Sequence, residues 1–202
     1  MSTTFDLVLA SASPRRSELL RQLGLNFSVV PSCADETELP GETPAQHVVR
    51  LSGDKAREVA ARSDVPGRWF LGSDTIVLRD TTILGKPQDA EAAAAMLRSL
   101  SGRSHEVLSG FAVYDRQSDT LRSDLSRTEV TFKPLTEEEI AGYIASGEPF
   151  DKAGAYAIQG LGAFMVRRIS GSYSNVVGLP LCEVIATLED LGAIRLFPIA
   201  GD

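Results

Sequence analysis

At 202 residues, 43% hydrophobic and 23% charged, the chain has the size and composition of one globular domain with a sizeable core, spanning residues 1–202. Its net charge of −7 argues against a nucleic-acid binder or a membrane-surface protein, which present basic faces. An acidic chain that handles an anionic ligand must gather its cations locally, so clustered Arg and Lys carry more information than the total. Cys33 and Cys182 lie far apart and form no metal or redox motif. Together with the lack of any apolar run of transmembrane length or a secretory signal, this makes the cytoplasm the expected compartment. With only His47 and His105 and no cysteine cluster, a zinc-ligand set is missing. No G-x-x-x-x-G-K-[ST] run occurs, and Gly160-Leu161-Gly162 lacks the rest of a dinucleotide fingerprint.

The first element is an apolar run, Phe5 to Ala10, that reads as a buried strand. It breaks at Ser11-Ala12-Ser13 into a helix with Ser13 at the N-cap and Pro14 in the first position. Leu19, Leu20 and Leu23 form the apolar stripe, and Gly24 stops it. A strand feeding a helix start makes an anion site, because the first amides lack helical partners and the dipole is positive there. Ser11 and Ser13 add hydroxyls at that point, and Arg15 and Arg16 add two guanidinium forks suited to a polyphosphate. An ordinary α/β opening carries equal weight on these residues alone.

A short strand, Phe27 to Pro31, runs into the acidic loop Cys33 to Glu42. Such a loop is usually solvated surface; folded over the Arg15–Arg16 turn, its carboxylates would need a divalent cation between them and a phosphate, typically Mg²⁺. Thr43 and Pro44 open a second helix reaching roughly Arg62, with Val48, Leu51 and Val59 on its apolar side. Lys55 interrupts that stripe, where a lysine most often snorkels at a core edge. Trp69 to Leu78 is strand-forming but broken by Gly72-Ser73-Asp74-Thr75. An aspartate within a strand is either a bulge or turn residue or a rigidly held carboxylate, able to bind metal or take a proton from water.

Asp80 and Thr81-Thr82-Ile83-Leu84 predict a hairpin ended by Gly85-Lys86-Pro87, and an alanine-rich helix spans Asp89 to Leu100. Strands from His105 to Tyr114 and Leu121 to Phe132 follow, and Thr136 starts a capping-box helix that ends by Gly147. His105 has no sequence neighbour to pair with and is read as structural. Glycines crowd the block Asp151 to Phe164, which demands tight backbone geometry or a close approach to a ligand. Gln159 there can bond loop backbone or read the edge of a base. Val166 to Ile169 is a strand, and a last helix runs from near Pro180 to Gly192; the end, Leu196 to Asp202, carries no functional signal.

Ser13-Pro14-Arg15-Arg16, Gly72-Ser73-Asp74-Thr75, Gly85-Lys86-Pro87, Lys152 to Gly162 and Val177-Gly178-Leu179-Pro180 occur in the order found in the Maf family of nucleoside triphosphate pyrophosphatases, which the chain resembles over nearly its whole length. The resemblance implies a Maf/ITPase-like α/β fold, a mixed, twisted sheet with flanking helices and two lobes around a deep nucleotide cleft. It implies hydrolysis of a nucleoside triphosphate between α- and β-phosphates with a divalent cation, Mg²⁺ or alternatively Mn²⁺ or Co²⁺, by a homodimer. It assigns Asp74 as general base, Glu36 and Asp74 to the metal, Lys55 and Lys86 to the phosphates, and Thr75 to substrate choice. Arg15, Thr75 and Gln159 match the trio of the branch acting on dTTP and UTP. A sister branch acting on 7-methyl-GTP, and a non-catalytic nucleotide-binding regulator of cell division, are the alternatives. Ala12 and Ala157 stand where many relatives have glycine.

Overall fold

The computed structural model describes residues 6–197, so Phe5 of the first predicted strand and residues 198–202 lie outside the described residues. Among the described residues seven strands form one mixed sheet: β1 (Leu7–Leu9), β2 (Ser28–Val29), β3 (Trp69–Arg79), β4 (Thr82–Leu84), β5 (Ser104–Asp115), β6 (Thr120–Phe132) and β7 (Val166–Ser170). Their order is β2-β1-β3-β5-β6-β7, with β4 beside β3 off this path. Helices α1 (Pro14–Gln22), α2 (Pro44–Ala60), α3 (Ala90–Leu100), α4 (Glu137–Ala145), α5 (Tyr173–Val177) and α6 (Leu181–Asp190) complete the α/β arrangement.

The chain divides into two compact units. The first comprises residues 6–74, 109–126 and 178–197. Here β1 pairs in parallel with β2 and with β3, Leu7 opposite Trp69 and Leu9 opposite Leu71. A strand paired on both sides and covered by helices has no wet face, which is why Leu7-Val8-Leu9 is uniformly apolar and fully buried. Val8 and Phe70 pack with Ala56, Val59 and Ala60 of α2. This helix begins with a complete capping box, in which Thr43 accepts from the Gln46 amide and the Gln46 side chain accepts from that of Thr43.

The second unit comprises residues 75–108 and 127–177. Antiparallel pairing governs it: Val77 opposite Leu84 in the β3–β4 hairpin, and Val130 opposite Ile169 between β6 and β7. Asp80 takes φ 56° at the hairpin turn, where a short polar side chain tolerates the left-handed region. Leu97 and Leu100 of α3, Ile140 and Tyr143 of α4, Phe132 and Met165 form its core. His105 is buried in it, edge-on to Phe132 and Tyr156, with Nε2 2.8 Å from the Tyr156 hydroxyl. That is a structural histidine, as the sequence reading holds.

One sequence expectation is corrected, and one element is added. The break expected at Gly72 to Thr75 is absent, and β3 runs continuously through all four residues. Helix α5 was not foreseen, because five residues show no stripe; Ser172 nucleates it by accepting the Asn175 amide. The glycine-dense block Asp151 to Phe164 has the tight backbone geometry its composition demands, folding largely as short 3₁₀ turns at Glu148–Asp151, Ala153–Ala155 and Gly160–Met165.

Candidate active site

The turn between β1 and α1 sits on the first unit's sheet. Ser13 occupies the N-cap position in extended conformation, but its hydroxyl makes no capping bond. Instead its amide donates to Oγ of Ser11, 3.1 Å away, so the buried Ser11 shapes the turn. Arg16 binds the chain itself: Nε donates to the Gly178 carbonyl at 2.7 Å, and Nη1 to the Ser73 carbonyl at 2.8 Å and to Ser11 Oγ at 3.2 Å. One guanidinium therefore ties the start of α1 to β3 and to the segment before α6. Burial pulls Arg16 below arginine's ordinary range, opposed by the negative charges of Asp74 and Glu36 and reinforced by Arg15. Arg15, half-buried, is one residue earlier on the same first turn.

Two glycines bring α2 down onto the sheet. A Cβ on Gly72 would lie 2.0 Å from the Ser52 carbonyl oxygen, and one on Gly110 would lie 2.2 Å from that of Val48. Lacking a side chain at both places, β3 and β5 let the helix backbone rest directly on them. Strand alternation puts Asp74 on the same face as Gly72, under Lys55, one turn along the helix from Leu51. The Lys55 ammonium donates to Asp74 Oδ1 at 2.7 Å and pairs with Glu36 Oε1 at 2.6 Å. The Lys55 and Asp74 side chains are about nine-tenths buried, whereas that of Glu36 is mostly exposed. Lys55 is therefore not a snorkelling lysine; it bridges two carboxylates at the foot of α2.

The acidic loop reaches that position because α2 straps it down. Glu58 accepts from the Ser32 hydroxyl and the Cys33 amide, both at 2.9 Å, and Arg50 donates to the Thr37 carbonyl at 3.1 Å. Asp35 folds the loop between these tethers by accepting from the amide and hydroxyl of Thr37. Arg50 is itself held by Glu42, which also meets His47 Nδ1 at 3.1 Å; hydrogen bonding from Arg50 keeps Glu42 near a pKa of about 2. Sequence reasoning missed Arg50 and Glu58. The only available signal was their spacing along α2, two turns apart.

Ser11, Ser13, Arg15, Arg16, Glu36, Lys55 and Asp74 thus belong to the first unit, and the Lys55 bridge and Arg16's interactions show which of them meet. Thr75, Lys86 and Gln159 belong to the second. Thr75 follows Asp74 on β3 but faces the other side, the side of Val77. Lys86 is exposed just after β4, and its neighbour Gly85 accepts from the Gly154 amide at 3.0 Å. Gly154, at φ 67°, lies so close over Val77 that a Cβ would come 3.0 Å from its side chain. Gln159 is extended and half-buried, immediately before the 3₁₀ turn Gly160–Met165.

Among the described residues, no group of three or more His, Cys, Asp or Glu is placed to hold a metal ion. Glu36 and Asp74 bring two hard carboxylate donors to one point, a donor set whose chemistry would fit a Mg²⁺-type cation. Likewise, no described helix is long and apolar enough to cross a membrane.

Fold and site together define an α/β protein that carries cations at a helix start beside a lysine-bridged pair of acids, equipment for polarising a phosphate ester or anhydride. Residues 6–191 match the family described as Maf-like protein, and the chain belongs to that family. A dTTP/UTP pyrophosphatase of Syntrophotalea carbinolica is 66% identical over 191 residues, covering 95% of this chain and 87% of that protein. Proteins of the same description from Geotalea uraniireducens and Geobacter sulfurreducens are 56% and 57% identical, covering 96% and 93% of this chain and 100% and 97% of their own lengths.

Proposed function

We propose that this protein hydrolyses dTTP and UTP, and modified pyrimidine relatives of them, to the monophosphate and pyrophosphate, clearing the nucleotide pool. The observation that carries the reading is the Asp74–Lys55–Glu36 bridge, buried at Asp74 and Lys55 and open at Glu36, beside the Arg16 turn. The substrate class is supported by the description shared by relatives that match nearly end to end.

Water attacks the α-phosphorus, the bond from that phosphorus to the bridging oxygen breaks, and pyrophosphate leaves. Asp74 orients the water and accepts its proton; its rigid place on β3 and the Lys55 contact fix the carboxylate. Arg15, Lys55 and Lys86 neutralise phosphate oxygens, while Arg16, with Ser11 and Ser13, holds the turn that presents the α1 amides. Glu36 and Asp74 would hold a divalent cation, Mg²⁺ or alternatively Mn²⁺ or Co²⁺, which when bound shields the acids from the phosphates and polarises the reacting centre. Thr75 and Gln159 select the pyrimidine. We place the enzyme in the cytoplasm as a homodimer.

Pyrophosphate release from dTTP, UTP, CTP and 7-methyl-GTP with Mg²⁺ tests the reading. Turnover of dTTP and UTP is the expected result, with Asp74→Asn abolishing it at a modest loss of nucleotide binding. Preference for 7-methyl-GTP would move the chain to the sister branch, and tight binding without turnover would make it a nucleotide-binding regulator. Full activity of Asp74→Asn would remove Asp74 from the base role.

A further inference from the structure

The loop that carries Gln159 is built around a carboxylate. Glu148 stands just after α4, and its side chain accepts from the Leu161 amide through Oε2 and from the Gly162 amide through Oε1, each at 3.0 Å. Tyr143, reaching out from the core face of α4, donates its hydroxyl to Oε1 of Glu148 at 2.9 Å and accepts from the Ala157 amide at 3.3 Å. Lys152 Nζ donates to the Glu148 carbonyl at 2.6 Å, fixing the backbone that carries the carboxylate. Gln159 therefore lies inside a short span pinned on both sides, at Ala157 before it and at Leu161 and Gly162 after it.

The fit leaves no room to spare. A Cβ on Gly160 would come 2.7 Å from Glu148 Oε2, and one on Gly162 would come 2.4 Å from the Ala157 carbonyl and 2.7 Å from the Tyr143 hydroxyl. Gly160 also takes φ 69°, a left-handed turn that swings the Leu161 and Gly162 amides onto the acid. Burial works against ionisation of Glu148, but the Gly162 and Leu161 amides, with Tyr143 and Lys152, outweigh it and hold the group below the ordinary glutamate range. Burial and then the same carboxylate push the Tyr143 phenol up, so it stays a donor.

We infer that Glu148, with Tyr143, is a positioning residue for pyrimidine selection: it touches no substrate and acts by fixing the backbone on which Gln159 presents its amide. This inference rests on the reading of Gln159 as the base-contacting residue. The chemistry it serves is specific. Uracil and thymine offer a carbonyl acceptor at C4 where cytosine offers an amino donor. A glutamine amide accepts either if it can rotate or shift, so discrimination demands that its N–H end be held toward that edge. Glu148 contributes to that by fixing, through the Leu161 and Gly162 amides, the backbone from which the Gln159 side chain extends. In Glu148→Gln the side-chain volume is kept, but an amide nitrogen must face one of the two backbone N–H groups, and the loop loses one of its pins.

The test is kcat and KM for UTP, dTTP and CTP in the wild type, Gln159→Ala, Glu148→Gln, Tyr143→Phe and the Glu148→Gln/Gln159→Ala double variant. The preference for UTP over CTP is expected to fall about tenfold in Glu148→Gln, the equivalent of one selective hydrogen bond, and mainly through KM. Glu148→Gln should add little further loss of preference once Gln159 is alanine. Tyr143→Phe, which removes a single hydroxyl, should shift the preference the same way by a smaller factor, and it carries the test if Glu148→Gln does not fold. Relaxed preference in Gln159→Ala with unchanged preference in Glu148→Gln and Tyr143→Phe overturns the inference and leaves the reading of Gln159 intact. An equal fall in kcat for all three nucleotides with the preference kept also overturns it, because that is the mark of a merely structural brace. Unchanged preference in Gln159→Ala overturns the reading of Gln159, and this inference with it.

Discussion

Gly72→Ala tests whether the acid–lysine bridge depends on how closely α2 approaches the sheet. The added methyl would stand 2.0 Å from the Ser52 carbonyl oxygen and 2.9 Å from the Ala56 amide nitrogen, both backbone atoms of the helix. Real Cβ contacts stop near 3.0 Å, so the helix must retreat by about 1 Å. Lys55 lies between Ser52 and Ala56 and moves with them, lengthening contacts that are now 2.6 Å and 2.7 Å. Misplacement on that scale costs on the order of 100-fold in turnover, and overpacking costs about 1–3 kcal/mol in stability. Gly53→Ala is the control on the same helix, since its Cβ would meet the Leu121 Cδ2 methyl at 3.1 Å, a side chain that can yield. Pyrophosphate release from UTP gives the activity, and urea midpoints give the stability of both variants. A Gly72→Ala protein that loses stability but turns over UTP at the wild-type rate would refute the link from glycine to helix to lysine.

Arg16→Lys keeps the charge but cannot reach the Gly178 and Ser73 carbonyls as a fork does, and it should lose about 2 kcal/mol of stability together with most activity; urea titration and UTP turnover check both. Lys86→Ala, at an exposed position, should leave the urea midpoint within about 0.5 kcal/mol of wild type while raising KM for UTP. His105 supplies a pH dependence. Burial depresses its folded pKa to about 4 from 6.5, so its contribution is fully present above pH 6.5 and is lost as pH falls toward 4. That amounts to at most about 3 kcal/mol, and His105→Phe should flatten the slope of stability against pH between pH 6.5 and pH 5, above the range where carboxylates titrate.

How much of this was legible in the sequence depends on how local each cause is. Thr43 and Thr136 announce their helices because capping boxes are short-range, and both boxes form. Ser13 marks the start of α1 equally well, yet its hydroxyl does not cap, because the turn is organised by Ser11 and by an arginine bound to residues 57 and 162 positions away. The polar interruption of β3 misled for the same reason. Ser73 is satisfied by the Gly110 and Gly178 carbonyls and Asp74 by Lys55, partners that no local window contains. The candidate acids and cations could be named from residue type and motif. That Glu36 meets Lys55 could not, since it follows from tethers to Glu58 and Arg50 that exist only once α2 has docked.

The choice of lysine at position 55 follows from the charges around it. Two carboxylates within about 3 Å of one point repel each other and would repel a triphosphate, so in a chain of net charge −7 a cation must stand between them. An ammonium is a compact charge with three donors, and two of them suffice for Glu36 and Asp74. With Arg15 and Arg16 alongside, three cations then outnumber two acids on this part of the first unit. A site proposed to keep a carboxylate base and still attract a polyanion needs that local balance of charge.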